Sequence, residues 1–240
     1  MEQIDNDDYL LSTILDGNDT RGSNSHSNRE RSSSDLSQFG VFSSNGMVKV
    51  DEESEEHKLI KIFFDLGMGT EANVVAVHKN LCSEGTTSRA RLERFRSFSK
   101  AVARKHGGNA NIVPAWYGSS RDEICEILLN GFSLREPTSN DEPYGVDTIH
   151  LAPLNCSFDG ALCSVADDSG LRHILLCSVI LGKTELVSPN SKQALPSSNK
   201  LDCGVDDPVN PRRYIIWSDF MNSHICPLYV VSFKAPPPPC

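Results

Sequence analysis

The chain predicts an α+β domain built on a largely antiparallel sheet, and three observations carry that prediction. Helical periodicity is confined to the first half of the packed region. Short runs rich in Ile, Val, Leu and aromatic residues crowd the second half. The spacings between those runs leave no room for regular crossover helices, which a parallel sheet requires.

Residues 1–58 are dominated by Ser, Asp, Glu, Asn and Gly, and their apolar residues keep no sustained period. Such a segment buries too little surface to offset its conformational entropy, so it is expected to be a disordered acidic, Ser-rich tail. Its acidic run, Asp51-Glu52-Glu53-Ser54-Glu55-Glu56, reads as a solvated linker; a docking segment for a basic partner is the sharper alternative. The packed domain is expected over 59–235, followed by a Pro-rich end, 236–240, of extended polyproline character.

Within the domain, residues 72–78 predict a strand, rich in Val and bounded by polar residues. Residues 87–105 predict a helix, because Leu92, Phe95, Phe98 and Val102 recur at spacings of three and four. Thr86, Thr87 or Ser88 can cap its start, and Gly107-Gly108 can end it. Its other face carries Arg89, Arg91, Arg94, Arg96, Lys100, Arg104 and Lys105, which predicts a solvated basic face, paired with the acidic linker, rather than a nucleic-acid contact. The apolar run 112–118 ends at a glycine. Ser120-Arg121-Asp122-Glu123 then has the pattern of a capping box and opens a short helix on Ile124, Ile127 and Leu128, closed by Gly131. Strands are expected over 148–152, 172–181, 213–217 and 227–233. The polar stretch 183–211 reads as a long loop, a feature more often functional than accidental.

The net charge of −9 argues against nucleic-acid binding, since phosphate attraction needs positive charge. No apolar run has the length to cross a bilayer, so no membrane partner is expected. The acidic start resembles neither a secretory leader nor a transit peptide. Eight cysteines contain no Cys-x-x-Cys pair, so no zinc or other metal site is expected. Reduced thiols that pack as small hydrophobes fit an intracellular protein.

A set of landmarks recurs in a recognisable order. Tyr117-Gly118-Ser119-Ser120 precedes Asn130-Gly131-Phe132, and Tyr144-Gly145-Val146-Asp147-Thr148-Ile149-His150-Leu151-Ala152 follows. Then come the block 171–182, containing Ile174-Leu175-Leu176-Cys177, and the block 213–233, containing Arg213-Tyr214-Ile215-Ile216-Trp217. This order is similar to the catalytic domain of poly(ADP-ribose) polymerases and more closely resembles the plant "similar to RCD-one" (SRO) family. The resemblance runs from about Leu59 to Phe233 and implies the ADP-ribosyltransferase-like fold, a mainly antiparallel split sheet with a few helices.

In the polymerases that the chain resembles, a His holds a ribose hydroxyl of NAD, a Tyr stacks on the nicotinamide, and a Glu stabilises the oxocarbenium-like state. Stabilisation aimed at developing charge is usually the largest catalytic contribution. By position these residues correspond to Tyr117, His150 and Arg213. Tyr117 can still donate a hydrogen bond and His150 can still stack, but the Arg213 guanidinium would repel the developing cation. Each also has a plain structural reading: Tyr117 as a half-buried strand-end residue, His150 as a satisfied core histidine, Arg213 as a solvated strand-end charge.

The second tyrosine of the nicotinamide sandwich falls near Gly160-Ala161 and has no counterpart there. Gly118, and Ser157 as a displaced pocket serine, are the residues expected in a vestigial NAD pocket. No catalytic residue and no cofactor are therefore expected. The resemblance implies an inactive protein acting through protein partners, transcription factors among them, in plant stress and developmental responses. It places the protein in the nucleus, with the cytoplasm as a second compartment. Family members carry a C-terminal helical RST domain, and the sequence to Cys240 reads as a short form without it. Two alternatives stay open: an active mono-ADP-ribosyltransferase using Asp206 or Asp207 of the long loop, and a module that binds NAD as a regulatory ligand.

Overall fold

A computed structural model describes residues 39–68, 72–134 and 144–234. In chain order the elements are α1 (Gly40–Ser44), β1 (Met47–Lys49), α2 (Glu55–Met68), β2 (Asn73–Asn80), α3 (Thr87–Lys105), β3 (Ile112–Ser119), α4 (Arg121–Asn130), β4 (Thr148–Pro153), α5 (Ser157–Leu162), β5 (Arg172–Ile180), β6 (Thr184–Leu186), β7 (Cys203–Val205), β8 (Tyr214–Trp217), α6 (Met221–His224) and β9 (Ile225–Lys234). The strands form one nine-stranded sheet in the order β1-β2-β9-β5-β3-β4-β8-β7-β6. Neighbours are antiparallel except β6 and β7. This is the α+β class that the sequence predicts.

Alternation along the central strands explains why they look uniformly apolar. On β5, Leu175, Cys177 and Val179 join one core cluster, while Ile174, Leu176 and Ile180 join the other. On β3, Ala115 and Tyr117 take the first side and Trp116 the second. A sheet covered on both faces has no polar side to reveal its period of two. Helix α4 supplies Ile124, Cys125, Ile127 and Leu128 to the first cluster, and α2 and α3 supply Ile60, Phe63, Phe64, Leu92 and Phe95 to the second.

Helix α3 has the predicted ends. The Thr86 hydroxyl accepts the Arg89 N–H at 3.2 Å, and Gly107 and Gly108 follow the C-terminus with φ of 76° and 113°, backbone that glycine adopts without strain. Its basic face is partly spent on tertiary contacts rather than on the acidic run. Arg91 donates to the carbonyls of Ile127, Leu128 and Leu129, the unpaired end of α4. Arg94 instead stays on its own helix, lying over the ring of Phe98 one turn along.

The domain begins earlier than predicted, which corrects the boundary at Leu59. Phe39 and Phe42 are buried, their rings 5.2 and 5.4 Å from His78, and β1 extends the sheet by pairing with β2. These elements are too short to show a period, and their order comes from packing. The acidic run is no linker either. The Ser54 hydroxyl caps α2 through the His57 N–H, and the Glu56 carboxylate accepts from Lys79 Nζ at 2.7 Å and Tyr229 Oη at 2.6 Å. The expected tail before residue 39 and the Pro-rich end fall outside the described residues.

The predicted loop 183–211 contains two short strands, β6 and β7, and is pinned by one buried carboxylate. Asp202 accepts from Lys105 Nζ at 2.6 Å, His106 Nε2 at 2.5 Å and the Lys183 N–H at 3.0 Å. Burial alone would raise this carboxyl, but those three donors outweigh it and hold it below the usual carboxylate range.

Two buried histidines set the acid limit of the fold. Burial lowers His78 to about 4, helped by Lys49 and His173. Burial also lowers His224 to about 4, with Asp202 opposing and Lys105 assisting. A depressed histidine is neutral when folded, so the unfolded chain binds the extra proton between about 6.5 and 4. Stability is therefore complete above about pH 6.5 and falls as the pH drops towards 4. Thermal melts across that window should show this fall, reduced in a His78→Leu variant; a flat profile in the parent would contradict it.

Candidate functional site

The sheet is split in its middle. β3 and β4 pair only at Ala115 with Pro153 and Trp116 with Ala152, and beyond these they diverge. The gap is a cavity of about 370 Å³ lined by Tyr117 and Gly118 of β3 and by residues 148–151 of β4. Asp159 and Gly160 of α5, Cys163, residues 190–192 and the pair Arg212–Arg213 complete its wall. Asp147 and Asn190 hold left-handed backbone at its rim (φ 56° and 62°), a conformation that Asp and Asn tolerate better than most residues.

Tyr117, His150 and Arg213 all line this cavity, and each is held by its own neighbours. The Tyr117 hydroxyl donates to Glu123 Oε1 at 2.8 Å, and its ring stands edge-on to Phe132. Glu123 thus serves two ends: its N–H meets the Ser120 cap at 3.2 Å, and its carboxylate takes Tyr117 and Ser119. His150 Nε2 lies 2.9 Å from the Tyr144 carbonyl, so that nitrogen carries the proton and donates it. The Thr148 hydroxyl donates to the same carbonyl at 3.0 Å.

Arg213 lays its guanidinium over the Tyr144 ring, Cζ 5.3 Å from the centroid. Tyr144 therefore organises two of the three expected positions, through its carbonyl and its ring. Sequence reasoning quoted this residue as a landmark without assigning it a role.

Of the two residues expected in a vestigial cofactor pocket, one lines the cavity. Gly118 does so, and it must be glycine: a Cβ there would lie 1.8 Å from the Gly160 carbonyl oxygen, where α5 backs onto β3. Ser157 is corrected. It is fully buried, and its hydroxyl donates to the Phe64 carbonyl at 2.6 Å, so it anchors α2 and is not part of the cavity wall.

The loop carboxylates considered as substitutes are also engaged. Asp206 Oδ1 accepts the Arg212 and Arg213 N–H groups at 2.9 and 3.0 Å, and Asp207 Oδ1 accepts those of Val209 and Asn210. Among the described residues two carboxylates do line the cavity, Asp147 at its rim and Asp159, which Arg212 clamps through Nε at 3.0 Å and Nη2 at 2.8 Å. Fifty-three residues separate the two partners, and nothing local in the sequence signals them.

No protein-family model matches the chain. Over 200 residues it is 46% identical to "Probable inactive poly [ADP-ribose] polymerase SRO2" of Arabidopsis thaliana, covering 81% of this chain and 62% of that protein. It is 37% identical over 194 residues to the similarly named SRO5, covering 80% and 62%, so it spans less than two thirds of either relative. With SRO4 it shares 30% identity over 232 residues, covering 90% of this chain and 70% of that protein. In three dimensions it matches the crystal structure of the PARP domain of Arabidopsis RADICAL-INDUCED CELL DEATH1, with a TM-score of 0.67 and 28% identity, over 78% of this chain and all of that one.

The Gly118–Gly160 contact makes the cavity's back wall testable. Gly118→Ala should cost about 3 kcal/mol, seen as a fall in melting temperature on the order of 10 °C. Gly40→Ala, with open space around the new Cβ, should leave the melt nearly unchanged. Equal melts for the two variants would contradict the close approach.

Proposed function

This chain belongs to the SRO family of poly(ADP-ribose) polymerase-like proteins, and from that premise we propose that it is a catalytically inactive ADP-ribosyltransferase-fold protein that acts through protein contacts. The observation that carries the proposal is the position of Arg213. Breaking the nicotinamide–ribose bond builds positive charge on the ribose, and a preorganised group of opposite sign must meet it. Losing one such group costs a factor on the order of 10²–10³ in rate. Here the position holds a cation instead, lying on the Tyr144 ring, and repulsion is added to the loss.

The other two positions support the same reading. Tyr117 spends its hydroxyl on Glu123, and His150 spends its Nε2 proton on the Tyr144 carbonyl. Asp206 and Asp207 are tied to backbone N–H groups, which disfavours a displaced catalytic carboxylate. Asp159 faces the cavity, but Arg212 neutralises it.

In keeping with the plant family, the proposal extends to stress and developmental responses, with protein partners that include transcription factors. It places the protein in the nucleus, with the cytoplasm as a second compartment.

Incubation with labelled NAD tests the proposal. Neither the parent nor Arg213→Glu should label itself, because restoring one carboxylate leaves Tyr117 and His150 engaged as before. Robust automodification of the parent would overturn the reading.

A further inference from the structure

The cavity between β3 and β4 has about 370 Å³ of space and a charged wall. Among the described residues its wall carries three cations, Lys192, Arg212 and Arg213, against two carboxylates, Asp147 and Asp159. Arg212 and Asp159 satisfy each other through two charge-assisted hydrogen bonds. Arg213 is half-buried and rests on the Tyr144 ring, and neither it nor Lys192 has a carboxylate within ion-pair distance among the described residues. Asp147 is exposed at the rim. A net positive charge thus lines a concave site of about 370 Å³ in a chain whose net charge is −9. Beside these cations, Leu134 and Val146 line the same cavity with 44% and 41% of their surface exposed.

We infer that this cavity is a docking site for an acidic peptide segment of a partner protein, its Glu or Asp carboxylate held by Arg213 and Lys192 and a neighbouring aliphatic side chain lying on Leu134 and Val146. The inference rests on the proposed inactivity of the site, because it requires Arg213 to face a ligand anion instead of a developing ribose cation. Charge count selects a carboxylate over a phosphate. One unit of negative charge matches the net surplus of one cation among the described lining residues, whereas a phosphate ester carries about −1.5 to −2 and exceeds it. The planar guanidinium, already oriented by the Tyr144 ring, suits two-point recognition of a carboxylate.

The test uses the full chain and three acetylated, amidated probe peptides: Leu-Glu-Leu-Gln, its neutral counterpart Leu-Gln-Leu-Gln, and a version with phosphoserine in place of the Glu residue. Affinity is read by titration, and the site by NMR shifts at the Arg213 side-chain Nε–H and the Val146 amide. The Glu peptide should bind at least about tenfold tighter than the Gln peptide, and its affinity should fall as salt is raised. Arg213→Gln should weaken it about tenfold and Lys192→Gln about threefold, with the melting temperature of each variant checked beside the parent. Lys192 is exposed, so its variant and the salt dependence keep the test decisive even if Arg213→Gln unfolds.

Equal binding of the Glu and Gln peptides, preference for the phosphoserine peptide, shifts confined to another surface, or no binding at millimolar peptide would each overturn the inference. Labelled NAD is run on the same preparation. Failure of the peptide without automodification removes only this inference, while automodification removes the inactive reading beneath it.

Discussion

The geometry of this domain depends on a single backbone contact at the split in the sheet. β3 and α5 approach so closely that neither Gly118 nor Gly160 has room for a side chain. That contact seats α5 against the diverging ends of β3 and β4, and so sets the depth of the cavity and brings Asp159 to its wall. Arg212 then finds Asp159, and the Asp206 carboxylate gathers the N–H groups of Arg212 and Arg213 at the start of β8. The cavity is thus a consequence of how the two halves of the sheet are joined.

What changes the chemistry is the set of side chains that fill this preserved shape. Tyr144 satisfies His150 and Thr148 with its carbonyl and supports Arg213 with its ring. Glu123 holds Tyr117 from the opposite side. The groups at the three expected positions are thereby engaged within the protein. Where the resemblance expects a carboxylate, the cavity presents the Arg213 cation. The scaffold and the lining separate cleanly, since the close approach rests on Gly118 and Gly160 while the expected carboxylate position holds Arg213.

Much of this was legible in the sequence. Helix α3 shows both ends, its Thr86 cap and its glycine stop, because local chemistry decides them. β3 and α4 were equally plain, since one rests on an apolar run and the other on a capping pattern. The missed features need partners distant in the chain. Phe39 and Phe42 are ordered by His78 and His173, and α2 is steadied by Glu56 reaching Tyr229. In sequence those residues look like polar tail and linker. β6 and β7 have three residues each, too few for any period to appear, and depend on the Asp202 anchor nearby. Ser157 was assigned to the pocket from its position, yet its hydroxyl belongs to Phe64, a partner no spacing reveals. The Asp159–Arg212 clamp was hidden for the same reason.

The central claim is that the split-sheet cavity persists while its chemistry towards NAD is lost. Calorimetric titration of the full chain with millimolar NAD tests it most directly. The account predicts no saturable heat and no thermal shift of the protein. A saturable isotherm abolished by Gly118→Val in a still-folded protein would contradict it, placing NAD in the cavity with its cationic nicotinamide near Arg213.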